Sequence, residues 1–414
     1  MSKLALLGGE KTVTRRLGKE WPVRSEEDVQ LVAEVVRSGN WCRLRYSDPK
    51  DSKVSQFEDA FANYHDAKYG IAVTNGTQAL ECALKAAGVK MGDEVIVPAM
   101  TFVATATAVA LVNAIPVIVD VDPETYNISP EAIEKAITPK TKAIIPVHVG
   151  GYPADMDRIM EIATKHNLVV IEDCAHAHGS QWRGKGCGSL GHMGCFSFQQ
   201  GKTLTAGEGG MIITNDEKLA GALYTHHNIG RIAGRPFADV DFHTVASNLR
   251  MTELQAALLL SQFARFPEQV AVRERNIAYL SQGMADIPGV RPIKRDPRVT
   301  RWCFYFWDFH YEANKCEGLP KNVFIKAMQA EGVPVQHGAH GKPIYKYPVL
   351  SEPGAAIIHP CPEAERLFAE EAVSLPHALF LGGTEDMDLV LAAFKKVTEN
   401  VGELLDWMKK QETV

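Results

Sequence analysis

Leu168-Val169-Val170-Ile171-Glu172-Asp173 is an unbroken apolar run that stops on two carboxylates. A strand with one face in water alternates apolar and polar residues. A run that stays apolar until its end reads as a strand buried on both faces, the habit of parallel sheets. The same kind of run recurs outward in both directions, at residues 69–74, 94–98, 116–121 and 143–149 before it and at 195–198 and 210–214 after it. Helical patterns lie between them: residues 77–87 carry Leu80, Ala83, Leu84 and Ala87 at helical spacing, and 155–166 carry Met156, Ile159, Met160 and Ile162. Buried strands alternating with amphipathic helices predict an α/β fold, a large domain whose mostly parallel central sheet is flanked by helices.

Beyond Asn248 the pattern changes. Thr252 and Gln255 have capping-box spacing ahead of an apolar helix over 254–266, which Pro267 is expected to close. The remainder mixes helices with a strand expected at 302–309, and Pro, Gly and His crowd 332–348 into what reads as an exposed loop. The expected organisation is an N-terminal segment 1–30, a large α/β domain 31–267 and a smaller C-terminal α+β domain 268–414, in keeping with a chain of 414 residues.

Hydrophobic residues make up 46% of the chain and charged residues 23%, with a formal net charge of −6. These are the proportions of a soluble globular protein, and no basic cluster of the kind that grips a nucleic-acid backbone is present. No apolar run approaches the roughly twenty residues that span a bilayer, and Leu4–Leu7 is too short for a signal peptide. The eight cysteines are scattered without a C-x-x-C pair, as expected of reduced thiols in the cytoplasm.

Three segments carry candidate chemistry. In Val73-Thr74-Asn75-Gly76-Thr77-Gln78 a buried strand passes through small residues into a helix, a setting in which unpaired N–H groups hold a phosphate or in which the turn is simply a helix cap. In Asp173-Cys174-Ala175-His176-Ala177-His178-Gly179, at a strand's carboxyl end, three readings stand: a metal cluster, a capping Asp with core histidines, or an Asp that pairs with a pyridinium nitrogen. The third needs a lysine that forms an imine. Lys202 stands in a Gly- and Thr-rich loop between two apolar strands, Gly194-Cys195-Phe196-Ser197-Phe198-Gln199-Gln200-Gly201-Lys202-Thr203-Leu204 and onward to Gly210. Two readings stand: a lysine on a surface loop, or an imine-former whose neutral, aldehyde-attacking amine a partly desolvated site near cationic groups favours.

With these motifs in order, and with Val97-Pro98-Ala99-Met100-Thr101-Phe102 and Ser247-Asn248-Leu249-Arg250-Met251-Thr252 beside them, the chain resembles the DegT/StrS sugar aminotransferases over nearly its whole length. That resemblance implies the fold-type I architecture of enzymes dependent on pyridoxal 5′-phosphate (PLP). It implies that Lys202 holds PLP as a Schiff base and shuttles the proton, that Asp173 meets the pyridine nitrogen, and that His176 lies near the ring hydroxyl. Phe102 is implied to stack on the ring, Gly76, Thr77 and Ser197 to hold the phosphate, and Asn248 to reach it from the second subunit of a homodimer. The implied chemistry is ping-pong transfer from L-glutamine or L-glutamate to a keto-sugar or keto-cyclitol.

Ser197-Phe198-Gln199, with Leu4–Gly9 and Trp21-Pro22, looks most like the branch of L-glutamine:scyllo-inosose aminotransferases and 3-amino-5-hydroxybenzoate synthases. Gln199 is open to two roles, a hydrogen bond to substrate or support of its own loop. The alternatives are a nucleotide-linked keto-deoxysugar aminotransferase, an aminobenzoate synthase and, from another class, a PLP-binding regulatory protein. His226-His227 and His337-Gly338-Ala339-His340 are read as ordinary surface and loop histidines rather than metal ligands, with substrate contact from 337–342 left open. The run Gly184-x-Gly186-x-Gly188 follows no strand and opens no helix, so it is a turn.

Overall fold

A computed structural model describes residues 3–232, 242, 244–338 and 340–412. The apolar runs assemble into one eight-stranded sheet, in the order β1 (Tyr69–Val73), β9 (Gly210–Thr214), β8 (Met193–Ser197), β5 (Val169–Asp173), β4 (Thr141–Ile144), β2 (Glu94–Pro98), β3 (Ile115–Val119) and β14 (Ile357–Ile358). From β8 to β14 every neighbouring pair is parallel. β9 runs antiparallel to both β1 and β8. Every residue of β2, β8 and β9 is buried, which is why their sequences show no alternation.

A second sheet, antiparallel throughout, has the order β10 (Val290–Pro292), β12 (Phe306–Tyr311), β15 (Ala372–Pro376) and β13 (Gln336–His337). The third is the hairpin β6 (Gln181–Trp182) and β7 (Lys185–Gly186) joined by β11 (Val299–Arg301). Arg183 and Gly184 at the hairpin tip have φ of 51° and 79°. The run is a turn, as expected, but contrary to expectation it follows a strand: Gly184 stands at the hairpin tip after β6, and Gly186 lies in β7.

Three local expectations need correction. The strand placed at 302–309 begins only at Phe306 and runs to Tyr311, so Trp302 to Tyr305 approach the site outside any ladder. The helix expected over 254–266 is Glu253–Ala264; its Thr252/Gln255 capping box is present, but Pro267 stands in the first turn of a second helix, Phe266–Met284. Proline is tolerated there because first-turn N–H groups have no intrahelical acceptor, so Pro267 opens a helix instead of closing one. The stretch 332–348 is no simple exposed loop: β13 pairs with β15, Gly338 is buried, and His340 reaches inward.

Buried polar groups fix the large sheet's surroundings. The Glu172 carboxylate accepts from the N–H groups of Gly188 (2.7 Å), Leu190 (2.9 Å) and Gly191 (2.6 Å), and from His148 Nε2 (2.9 Å). His148 Nδ1 accepts from Ala154 N–H at 3.0 Å, so the ring is the neutral Nε2–H tautomer. Cys174 lies close to this pair, but the Glu172 oxygens are fully engaged, so the group anchors the 188–191 turn to β5. No helix among the described residues is long and apolar enough to cross a membrane.

Candidate active site

The carboxyl ends of β1, β2, β5 and β8 open onto one cavity of about 770 Å³. Seven of the residues singled out from sequence line it together: Gly76, Thr77, Phe102, Asp173, His176, Ser197 and Lys202. Asn248 does not line it; that residue is exposed, bridged to Asn228 in an isolated antiparallel pair. A cavity at the carboxyl edge of parallel strands follows from the fold, since the loops that leave those ends converge there.

Below β1 the helix Gly76–Ala86 starts at the cavity wall. Asn75 is its N-cap, its side chain accepting from Gln78 N–H at 2.9 Å. A Cβ on Gly76 would stand 2.7 Å from Ser197 Cβ, so glycine is what lets the helix end approach β8. The turn is thus both a cap and an anion-type N-terminus, with Thr77 and Ser197 hydroxyls at the same wall.

Asp173 ends β5 almost fully buried. It accepts from Thr105 Oγ1 at 2.8 Å and Ala175 N–H at 3.1 Å, and has no ion-pair partner among the described residues. Burial pushes its carboxyl pKa upward, against the pull of those two donors and of the Lys202 charge. Lys202 is 9% exposed, with Nζ 4.1 Å from the centroid of the Tyr305 ring. Burial lowers its pKa to about 8, Asp173 opposing. His176 is buried and stacked on Tyr305 with ring centroids 5.2 Å apart. Its Nε2 lies 2.8 Å from His340 Nε2, and its buried Nδ1 has no hydrogen-bond partner among the described residues. Burial first, and the Lys202 charge second, hold it well below the usual histidine range, so the ring is neutral.

Tyr305, His340 and Thr105 belong to the site although no motif announces them. Tyr305 and His340 come from chain far beyond Lys202 and meet it only through tertiary packing; the sole sequence signal is the opening left for substrate contact from 337–342. Gln199 lines the cavity while its Oε1 accepts Gly201 N–H at 2.8 Å, so loop support is observed and the amide NH₂ remains for a ligand. His226 and His227 close the helix Glu217–His227; contrary to the surface reading, His227 is buried, its Nδ1 pairing with the Tyr224 carbonyl at 2.7 Å.

A family model for DegT/DnrJ/EryC1/StrS aminotransferases matches residues 22–395. The chain belongs to that family. It is 35% identical to an L-glutamine:2-deoxy-scyllo-inosose aminotransferase of Micromonospora echinospora over 98% of this chain and 100% of that one. It is 41% identical to a GDP-perosamine synthase of Caulobacter vibrioides over 83% of this chain and 90% of that one. The crystal structure of a 3-amino-5-hydroxybenzoic acid synthase superposes with a TM-score of 0.83 at 32% identity, covering 94% of this chain and all of that one. The protein is therefore an aminotransferase with the fold expected of the resemblance.

The residues of this aminotransferase fit PLP. A buried carboxylate with no ion pair among the described residues suits a protonated ring nitrogen, and a buried lysine whose pKa is lowered to about 8 yields its neutral amine to a carbonyl partner more readily than an ordinary lysine. The orphaned His176 Nδ1 offers a polar atom, and the helix N-terminus with Thr77 and Ser197 offers an anion cradle that a side chain at position 76 would block.

Proposed function

We propose that this aminotransferase moves an amino group from L-glutamine or L-glutamate to the ketone of a cyclitol or sugar, using PLP held by Lys202. The observation that carries the reading is one cavity in which a buried lysine whose pKa burial lowers to about 8 and a buried carboxylate hydrogen-bonded to Thr105 stand together. When bound, PLP supplies the electron sink that makes the donor's Cα proton removable. Asp173 holds the proton on the ring nitrogen that keeps the sink effective. Lys202 Nζ takes the Cα proton and carries it across, a task for which a pKa near the working pH is best matched. Phe102 and His176 bound the ring's place, and Gly76, Thr77 and Ser197 bind the phosphate. Asn248, exposed and outside its own cavity, is assigned to the phosphate of the partner subunit in a homodimer. Eight free cysteines suit a reducing, cytoplasmic setting.

A keto-cyclitol is the favoured acceptor, supported by the Micromonospora relative and by the free amide NH₂ of Gln199 at the cavity. A nucleotide-linked keto-sugar is the second reading, supported by the Caulobacter relative. The test loads the protein with PLP and L-glutamine and offers scyllo-inosose-type ketones and GDP- or TDP-linked keto-sugars in parallel, with mass spectrometry for the aminated product. Amination of the cyclitols alone is expected; amination of the nucleotide sugars alone overturns the favoured acceptor.

A further inference from the structure

Arg273 sits within the helix Phe266–Met284 and is fully buried. A buried guanidinium is normally offset by a carboxylate. Here Nη2 donates to His377 Nδ1 at 3.1 Å, while Nε and Nη1 are buried with no hydrogen-bond partner among the described residues. A permanently charged donor at Nδ1 leaves His377 one tautomer, with its proton on Nε2. That Nε2–H donates to the Gly201 carbonyl at 3.0 Å. One residue earlier, Trp21 Nε1–H donates to the Gln200 carbonyl at 2.9 Å. The three side chains also pack on one another: Trp21 meets His377 edge-on at 4.5 Å, and the guanidinium lies over Trp21 at 5.6 Å.

The amides of the same stretch are tied within their own loop. Gln200 N–H donates to Gly207 O, Gly201 N–H to Gln199 Oε1 and Lys202 N–H to Gln199 O, each at 2.8 Å. The peptide units leading into Lys202 are thus fixed through both their N–H and their carbonyl groups, the carbonyls by side chains from distant parts of the chain. None of Trp21, Arg273 and His377 lines the cavity.

We propose that Arg273, His377 and Trp21 are positioning residues for Lys202: they clamp the Gln200 and Gly201 carbonyls so that the amine stands over Tyr305 and faces the cavity. The proposal rests on the reading of Lys202 as the cofactor lysine. Arg273 sets the tautomer, His377 and Trp21 make the contacts, and Lys202 does the chemistry.

The test compares His377→Leu, which removes both contacts, with His377→Gln, whose amide donates to Gly201 O and accepts from Arg273. Two quantities are read: the rate at which PLP becomes covalently attached to Lys202, against total bound PLP, and kcat and KM with L-glutamine. His377→Leu is expected to slow attachment and lower kcat on the order of 10- to 100-fold, the scale of a misplaced reacting group. Total PLP and KM should stay close to wild type, and His377→Gln should restore most of the loss. Wild-type rates in His377→Leu, or equal losses in both variants, overturn the clamp. If His377→Leu does not fold, Trp21→Phe at a partly exposed position decides: slower attachment with PLP still bound supports the clamp, and an unchanged rate overturns it. Absence of any PLP on Lys202 in the wild type is a separate result; it refutes the Lys202 reading and takes the clamp down with it.

Discussion

Lys202 is the residue whose burial does most to define the site. Without cofactor, its pKa of about 8 lies below the ordinary lysine value of about 10.4. Between those values the unfolded chain binds more protons than the folded one, so this group's contribution to stability rises with pH through that window. Below pH 8 the folded state carries the full cost of a buried ammonium, roughly 3 kcal/mol for a shift of that size. Lys202→Met should therefore be more stable than wild type in the cofactor-free state at pH 7, and the gap should close between pH 8 and 10.4 in urea titrations. A gap that widens with pH contradicts the assignment. The neutral amine is the nucleophile, so PLP attachment should accelerate up to about pH 8 and then level off. Asp173 depends on Thr105 in a similar way. Removing that hydroxyl with Thr105→Val takes a hydrogen bond from a buried carboxylate, and PLP titrations should show a Kd raised about 10-fold or more. Composition and place make Lys202 and Asp173 candidates, a lysine in a glycine-rich loop and a carboxylate at a strand's carboxyl end, but each keeps a plainer reading there, and their proposed cofactor roles come from the family resemblance. Tyr305 was not, because an aromatic in an apolar stretch carries no mark of which face it presents to which neighbour.

At the scale of elements, the helix Gly76–Ala86 and β8 act as one unit because position 76 has no side chain. Gly76→Ala places a methyl 2.7 Å from Ser197 Cβ, so the helix end or the strand must move. Weaker PLP binding is expected in a titration, together with a lower Tm. Gly221→Ala is the matched control: it lies at an exposed position of the helix Glu217–His227, meets nothing within 4 Å, and should stabilise by about 0.5–1 kcal/mol. The strands were readable because burial on both faces writes continuous apolar runs. Their direction was not, since β9 reads the same either way and only the connections make it antiparallel. The two-residue strand β14 is too short to leave a pattern at all.

At the scale of the molecule, the cavity is assembled from the ends of four strands and then closed by residues that arrive much later in the chain. His340 meets His176 across that join, and Tyr305 lies between His176 and Lys202. In the proposed homodimer, Asn248 of one subunit would complete the other subunit's site. Mixing Lys202→Ala and Asn248→Ala proteins under conditions of subunit exchange should recover activity that neither has alone, because one site of each mixed dimer regains both residues; no recovery would mean that Asn248 serves its own chain. The most direct measurement of the role proposed for Lys202 is borohydride reduction of the PLP-loaded protein followed by peptide mass spectrometry, with and without prior L-glutamine. The expected result is a phosphopyridoxyl mass on the Lys202 peptide that disappears after glutamine. The mark on another lysine, or on none, would contradict it.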